Sequence, residues 1–362
     1  MQHSMSLVGL DVHAAQTHAA ILDMRTGELR GVKLRMAPAE VVGFLATLPG
    51  PVRAVYEAGP TGFGLARAGV ARGIDVRVVA AGKVPRASGD RIKTDKRDAE
   101  RLARLLAAGE LRFAFVPTVA DEQFRDVIRA IEDCRGDLMR ARHRLSKLLL
   151  RRDIRWEGPG STWTQTHMRW LQSLRFDDVC SQAVLVDYLA GVQMLVARRA
   201  ALITALEQVI PDTRHANTIA RLRCFRGIDT LSAAGLCAEV GVWQRFRPKQ
   251  LSGFLGIVPT EHTSDTKRRQ GSITKAGSVH ARRLLVEAAH HYRHQPAIGK
   301  TLARRQHAQD PRVIEVAWRA QRRLHQRWTV LRLERRKPAG VVAIACAREL
   351  AAFCWEAATL TT

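Results

Sequence analysis

Between residues 119 and 152 the apolar side chains fall into a strict three–four alternation: Phe124, Val127, Ile131, Cys134, Leu138, Ala141, Leu145 and Leu148. A seam of that spacing over several turns fits a long helix that lays one stripe against a partner helix. A second seam follows at Leu185, Tyr188, Val192, Leu195, Arg199, Leu202, Leu206 and Val209, and only Arg199 breaks it. Two such helices can close as an antiparallel hairpin within one chain or form a coiled coil between subunits. The spacing satisfies both.

Residues 1–115 carry a different period, with short strand-like runs alternating with helical patterns. The runs are Leu7–Val12, His18–Asp23, Leu29–Leu34, Val52–Glu57 and Val76–Ala80, with a Gly27-containing turn joining the second to the third. Helices are predicted over Pro38–Leu48, Thr61–Arg72 and Asp95–Ala108. Three antiparallel strands followed by strand–helix alternation is the order of an RNase H-like α/β fold.

Composition narrows the class. The chain has 362 residues, enough for two or three domains, and is 46% hydrophobic, which excludes global disorder. Lys and Arg number 58 against 34 Asp and Glu, a formal charge of +24, so a polyanionic partner is expected. The cations spread along the whole chain, which favours nucleic acid over a membrane surface. None of the six cysteines forms a Cys-x-x-Cys pair, which argues against a zinc ribbon and for buried thiols in a reducing cytoplasm. The N-terminus lacks a signal-peptide stretch, and the apolar run Ala339–Ala347 is too short to span a bilayer.

Four acidic residues stand out against this basic background. Asp11 lies in the first strand-like run, Glu57 closes the fourth just before a Gly/Pro turn, and Asp95 and Asp98 open a helix. Asp95, Asp98, Leu102 and Leu105 are spaced to share one helical face, so leucines packed on the sheet direct both aspartates to its edge. Acids in a first helical turn often only complement the dipole or cap it. Two on the buried-facing stripe, among Lys93, Lys96 and Arg97, favour a cation site. Gathered carboxylates suit Mg²⁺ or Mn²⁺. Two such ions, roughly 3.5–4 Å apart, can clamp the attacking and leaving oxygens of a phosphodiester.

The C-terminal third, residues 216–362, adds basic loops. Leu222–Ala234 reads as two helices about a turn at Arg226-Gly227, like a helix-hairpin-helix module that offers backbone N–H groups to phosphate. A stricter module would carry Gly where Asp229 stands. The polar loop Gly256–Ser278 holds Thr263 and Ser264 as hydroxyl candidates and Lys267, Arg268, Arg269 and Lys275 as phosphate neutralisers. The residues alone favour a solvated nucleic-acid contact over catalysis there. A helix over Val279–Tyr292 follows, carrying Arg282 and Arg283 as further contact candidates. Trp156, Trp163 and Trp170 read as packing residues rather than base platforms. His290 and His294 read as exposed helix residues rather than a zinc pair. Trp318–Lys337 reads as a nucleic-acid-facing helix, and Gly340–Trp355 as a structural one.

These motifs together resemble the DEDD-type insertion-sequence transposases of bacteria. The matching stretches are Gly9-Leu10-Asp11-Val12-His13, Tyr56-Glu57-Ala58-Gly59-Pro60-Thr61-Gly62 and Lys93-Thr94-Asp95-Lys96-Arg97-Asp98-Ala99. The match continues through Phe225-Arg226-Gly227-Ile228, Gly271-Ser272-Ile273-Thr274-Lys275-Ala276-Gly277 and His280-Ala281-Arg282-Arg283-Leu284-Leu285, in the family's order. The resemblance implies a RuvC-like RNase H-fold catalytic domain over 1–115, a helical coiled-coil region over 116–215 and a mainly α C-terminal transposase domain over 216–362. It implies that Asp11, Glu57, Asp95 and Asp98 bind Mg²⁺ or Mn²⁺, and that the Thr263-Ser264 pair supplies a serine nucleophile, assigned to Ser264. It further implies element-end and target DNA, a structured non-coding RNA and a homo-oligomer, dimer or tetramer, as partners. The chain departs from the family pattern at Asp265, where Gly is common, and at Ser278, where Asn is usual. The expected activity is cutting and rejoining DNA strands to move an insertion sequence. The alternatives are a RuvC-like structure-selective endonuclease with water as nucleophile, and a non-catalytic nucleic-acid-binding protein.

Overall fold

The computed structural model describes residues 5–35, 37–80, 82, 84–85, 94–261 and 269–361. The chain divides into two compact units, Met1–Thr118 and Val119–Thr362.

The first unit is built on a five-stranded mixed sheet of order β3-β2-β1-β4-β5. Its strands are β1 (Ser6–Val12), β2 (Gln16–Asp23), β3 (Leu29–Arg35), β4 (Val52–Glu57) and β5 (Asp75–Val79). Strands β1, β2 and β3 are antiparallel neighbours, while β4 and β5 run parallel to β1. Helices α1 (Pro38–Ala46), α2 (Gly64–Ala71) and α3 (Asp95–Ala107) complete the unit. Strand alternation sorts the core onto two faces. Val8, Leu10, Ala54, Tyr56, Val76 and Val78 pack with residues of α1 and α2. Leu7, Val55 and Val79 pack with Leu102 and Leu106 of α3. Helix α2 begins later than the sequence pattern suggests. Residue Gly62 turns with φ 67° and its carbonyl accepts a 3.0 Å hydrogen bond from the buried Tyr56 hydroxyl, which holds the preceding residues as a loop.

The second unit is mostly helical. Helices α4 (Val119–Leu150) and α6 (Val179–Val209) pair antiparallel, with α5 (Gln165–Ser173) between them in sequence. Arg152 Nη2 donates to Ser181 Oγ at 2.5 Å, and Cys134 Sγ lies 3.5 Å from Leu195 O, so the two seams meet within one chain. Cys134, Leu138, Leu145 and Leu148 share a core with Leu185, Val192 and Leu195. Ile128 supplements Val127 in the first seam, and Val209 ends the second one exposed. Trp156, Trp163 and Trp170 close around the buried His167, each ring 5.3 to 5.4 Å from the imidazole. They serve there as packing residues.

The base of this hairpin belongs to the C-terminal core. Phe124, Ile128, Ile131 and Leu206 share one cluster with Leu222, Phe225, Leu285, Leu324 and Leu350. A boundary expected near residue 215 therefore falls inside the second unit. That unit also contains α7 (Ala216–Leu222), α8 (Thr230–Val240), α9 (Pro248–Phe254), β6 (Pro259–Glu261), β7 (Gln270–Ile273), α10 (Val279–His290), α11 (Lys300–Gln306), α12 (Pro311–Thr329) and α13 (Ala339–Thr359). Much of the basic stretch on α12 is spent internally. Arg319 pairs with Glu356, while Arg323 and Arg327 reach Glu349 at 3.0 and 3.2 Å. Beyond α12 the helix widens into a π turn over Val330–Glu334. Five of the cysteines are buried, as expected, and Cys180 is exposed. Burial pushes the Cys237 and Cys346 thiols up to about 12. One helix among the described residues, Val179–Asp212, is long and apolar enough to cross a membrane by length and composition. An arm of a helical hairpin meets that test as readily, and α6 is such an arm.

Candidate active site

The site forms where β1 and β4 end. Leu7, Gly9 and Asp11 alternate onto the α3 face of the sheet, as do Val55 and Glu57. The parallel register pairs Leu10 with Tyr56, so Asp11 and Glu57 lie at the same level near the ends of adjacent strands. Crevices beyond the carboxyl ends of parallel strands are where open α/β sheets bind ligands.

Helix α3 brings the other two acids. Thr94 caps it, its hydroxyl accepting from Arg97 N at 3.3 Å, which fixes where the first turn begins. Gly9 allows α3 to rest directly on β1, because any side chain there would strike the helix backbone. Asp95 then reaches the edge of the sheet. Asp98 sits one turn on, 9% exposed, with its Oδ1 receiving a 2.6 Å bond from Arg101. The two aspartates thus share a face, as their spacing predicted, but their surroundings differ.

The residues whose ligand atoms gather most closely are Asp11, His13 and Asp95, all within 4.8 Å of one another. His13 Nε2 lies 3.1 Å from Asp11 Oδ2 and 3.5 Å from Asp95 Oδ1. His18, paired with Asp11 in the β1–β2 register, places its Nε2 3.7 Å from Asp95 Oδ2. Sequence reasoning missed both histidines. The signal was present: His13 closes the Gly9–His13 motif and continues the alternation Leu7, Gly9, Asp11. As a donor, the His13 ring bridges the two carboxylates; as a ligand, it presents a lone pair instead. Two carboxylates and an imidazole make a donor set that suits a divalent cation such as Mn²⁺ or Mg²⁺.

The second unit places the remaining candidates. Ser264, Thr263, Lys267 and Arg268 lie outside the described residues. The strands that flank them are described: β6 and β7 pair antiparallel, and Arg269 is exposed beside β7. Arg282, expected to meet nucleic acid, is used inside the fold. Its Nη1 donates to Leu255 O at 2.9 Å and Ala276 O at 3.1 Å, tying the exit of the hairpin to the end of α9. Lys275 N bonds Gly256 O at 3.1 Å, with Lys275 itself in the left-handed region at φ 55°. Arg283 pairs with Glu132 at 2.6 Å and Glu287 at 2.7 Å. Arg226 donates to Gln295 O at 2.7 Å. Ser278, standing where the family pattern has Asn, caps α10 by accepting from Ala281 N at 3.1 Å. Both residue types serve as N-caps, so the exchange keeps the function of the position.

Strand-end carboxylates on a mixed sheet, in a chain of this positive charge, fit a nucleic-acid-processing class of protein. Comparison with known proteins narrows the class. A family model for DEDD-type IS110 transposases matches residues 8–152, and one described as "Transposase IS116/IS110/IS902 family" matches residues 219–303. A transposase-like protein of Sinorhizobium fredii, y4qE, is 37% identical over 357 residues, covering 97% of this chain and 87% of that protein. The transposase for insertion sequence element IS1533 of Leptospira borgpetersenii is 31% identical over 340 residues, covering 91% of this chain and 97% of the relative. The chain belongs to the IS110-type DEDD transposases. Its class of activity is DNA transposition, with DNA as the substrate.

Proposed function

We propose that this transposase cuts and rejoins DNA strands at the ends of its own element with two sets of residues, the acidic group of the first unit and Ser264. The observation that carries the reading is the convergence of Asp11, His13 and Asp95 within 4.8 Å at the strand ends of a chain belonging to this family. The sheet order β3-β2-β1-β4-β5 supports reading the first unit as RNase H-like, of the RuvC type.

Asp11, Glu57, Asp95 and Asp98 are the proposed metal-binding set. Mg²⁺ or Mn²⁺ held there would withdraw charge from the phosphodiester and stabilise the departing oxygen. Asp11 and Asp95 would supply ligand oxygens with His13 as a third donor beside them, and His18 would hold the Asp95 carboxylate in place. Release of Asp98 from Arg101 would give it a coordinating role. Ser264 Oγ attacks phosphorus, forming a phosphoserine bond while the P–O bond to the leaving strand breaks and the serine proton passes to the leaving oxygen. The bond energy is kept for rejoining.

A structured RNA is the proposed guide to donor and target DNA, supported by the charge of +24. At least a dimer is the proposed working form. Purified protein, Mg²⁺, the flanking RNA and labelled DNA carrying the element's end junction provide the test. Label should remain on wild-type protein in a denaturing gel and be lost with Ser264→Ala and with Asp11→Ala. Cleaved DNA without covalent protein, undiminished in Ser264→Ala, would leave a nuclease that uses water.

A further inference from the structure

The turn between α7 and α8 forms one wall of a cavity of about 520 Å³, and the chain entering α11 forms the other. Its polar lining is Arg226, Asp229, His291, Lys300, Thr301 and Arg305. We propose that this cavity binds a phosphodiester of a nucleic-acid backbone, as a site on the second unit built from none of the acidic-site residues. The proposal rests on the transposase reading and adds where the second unit grips its polymer.

Charge makes the first argument. Three permanent cations line the cavity against one carboxylate, Asp229, which caps α8 by accepting from Ser232 N at 2.8 Å and also faces Arg305, so the cations stay in excess. Lys300 has no ion-pair partner among the described residues, and it is exposed. Cations gathered without matching acids raise one another's free energy, and an arriving phosphate relieves it. The neighbourhood of His291 shows the same field. Burial first, then Arg226, His294, Arg293 and His290, hold its imidazole below the usual range.

Rigidity makes the second. Arg226 is aimed by its bonds to His294 O and Gln295 O at 3.4 and 2.7 Å, and Arg305 by its 2.5 Å bond to Ile228 O. The wall between them turns at Gly227, φ 80°, where an added Cβ would lie 2.8 Å from Ala288 O. The turn is therefore pressed against α10, and its cations are fixed before any ligand arrives. Preorganised donors of this kind suit phosphate better than a flexible basic tail does. The phosphate could belong to DNA or to RNA, since both present the same group.

Equilibrium binding across a salt series separates the outcomes, using the full chain, a labelled element-end duplex and the labelled flanking RNA. Lys300→Ala is the probe, because Lys300 is exposed at the start of α11 and its loss leaves the core intact. One lost phosphate contact lowers the slope of log affinity against log salt by about 0.9 on duplex DNA and about 0.7 on a single strand. The expected result is that loss on one polymer, with Lys300→Arg restoring the slope. Loss on the duplex alone assigns the site to DNA, and loss on the RNA alone assigns it to RNA. Wild-type slopes for Lys300→Ala on both polymers would overturn the site while leaving the transposase reading intact. Wild-type protein that binds neither polymer would overturn both.

Discussion

Gly9 and Ala99 meet backbone to backbone: a Cβ on residue 9 would lie 2.0 Å from the Ala99 carbonyl oxygen and 2.6 Å from the Ala103 amide nitrogen. That approach lets α3 lie flat on β1. Because α3 opens with Asp95 and Asp98 and Asp11 stands next to the last residue of β1, the same contact sets the distance between the acids. Gly9→Ala must push the helix away. The expected cost is about 1–3 kcal/mol of stability, as for other overpacked cores. End cleavage should fall further than that loss of folded protein explains. Thermal unfolding alongside a cleavage time course checks this, and wild-type cleavage in a destabilised Gly9→Ala would show that helix position does not govern the site.

His13 gives a second prediction. If it helps to hold a cation with Asp11 and Asp95, His13→Ala should weaken Mn²⁺ binding by roughly 10–100-fold, the range seen when supporting ligands are removed. Asp11→Asn should remove binding altogether. Both changes are at partly exposed positions, so circular dichroism should stay close to wild type. Manganese titration by electron paramagnetic resonance reads the affinity, and two curves superimposed on wild type would dismiss the acidic group as a metal site.

Much of this was legible in the sequence because period-2 and heptad patterns report burial directly. All five strand-like runs became strands, and Asp95 and Asp98 open the helix whose Leu102 packs on the sheet. His13 and His18 escaped because a histidine beside a carboxylate carries no period of its own; only the pairing of Asp11 with His18 across two strands brings it to the site. The internal bonds of Arg282 escaped for a related reason. A basic residue beside a basic loop looks solvated, and nothing local says that its guanidinium turns inward onto the carbonyls of Leu255 and Ala276. The heptad spacing could not choose between hairpin and dimer, because both satisfy the same stripe.

The internal use of Arg282 is itself testable. A lysine keeps the charge but lacks the planar, fixed guanidinium whose Nη1 donates to both carbonyls. Hydrogen bonds from charged groups contribute about 1.5–3 kcal/mol, so Arg282→Lys should loosen the base of the β6–β7 hairpin. Strand rejoining should slow while the salt slope of DNA binding stays at the wild-type value. A slope reduced by about one contact's worth would instead mean that Arg282 meets phosphate.

The junction of α4 with α7 predicts a dependence on pH. His215 is buried, stacked on Phe124 with ring centroids 5.2 Å apart, and its Nε2 lies 3.0 Å from Asp121 Oδ1. Burial, with Arg214 next, pushes its imidazole below 6.5, and the opposing pull of Asp121 does not restore it. In the unfolded chain the group titrates near 6.5, so below that pH the unfolded state binds more protons than the folded one. The stability that neutral His215 contributes is therefore present above 6.5 and lost as pH falls toward the folded value. His167 and His291 are also held low and act with the same sign, so a wild-type melt alone cannot isolate His215. The comparison with His215→Gln can. The variant should begin less stable at neutral pH, yet its melting temperature should fall less steeply on acidification, the two curves converging. Parallel curves would mean that His215 keeps its ordinary titration in the fold, and that the Asp121–Arg214 pair alone secures this junction.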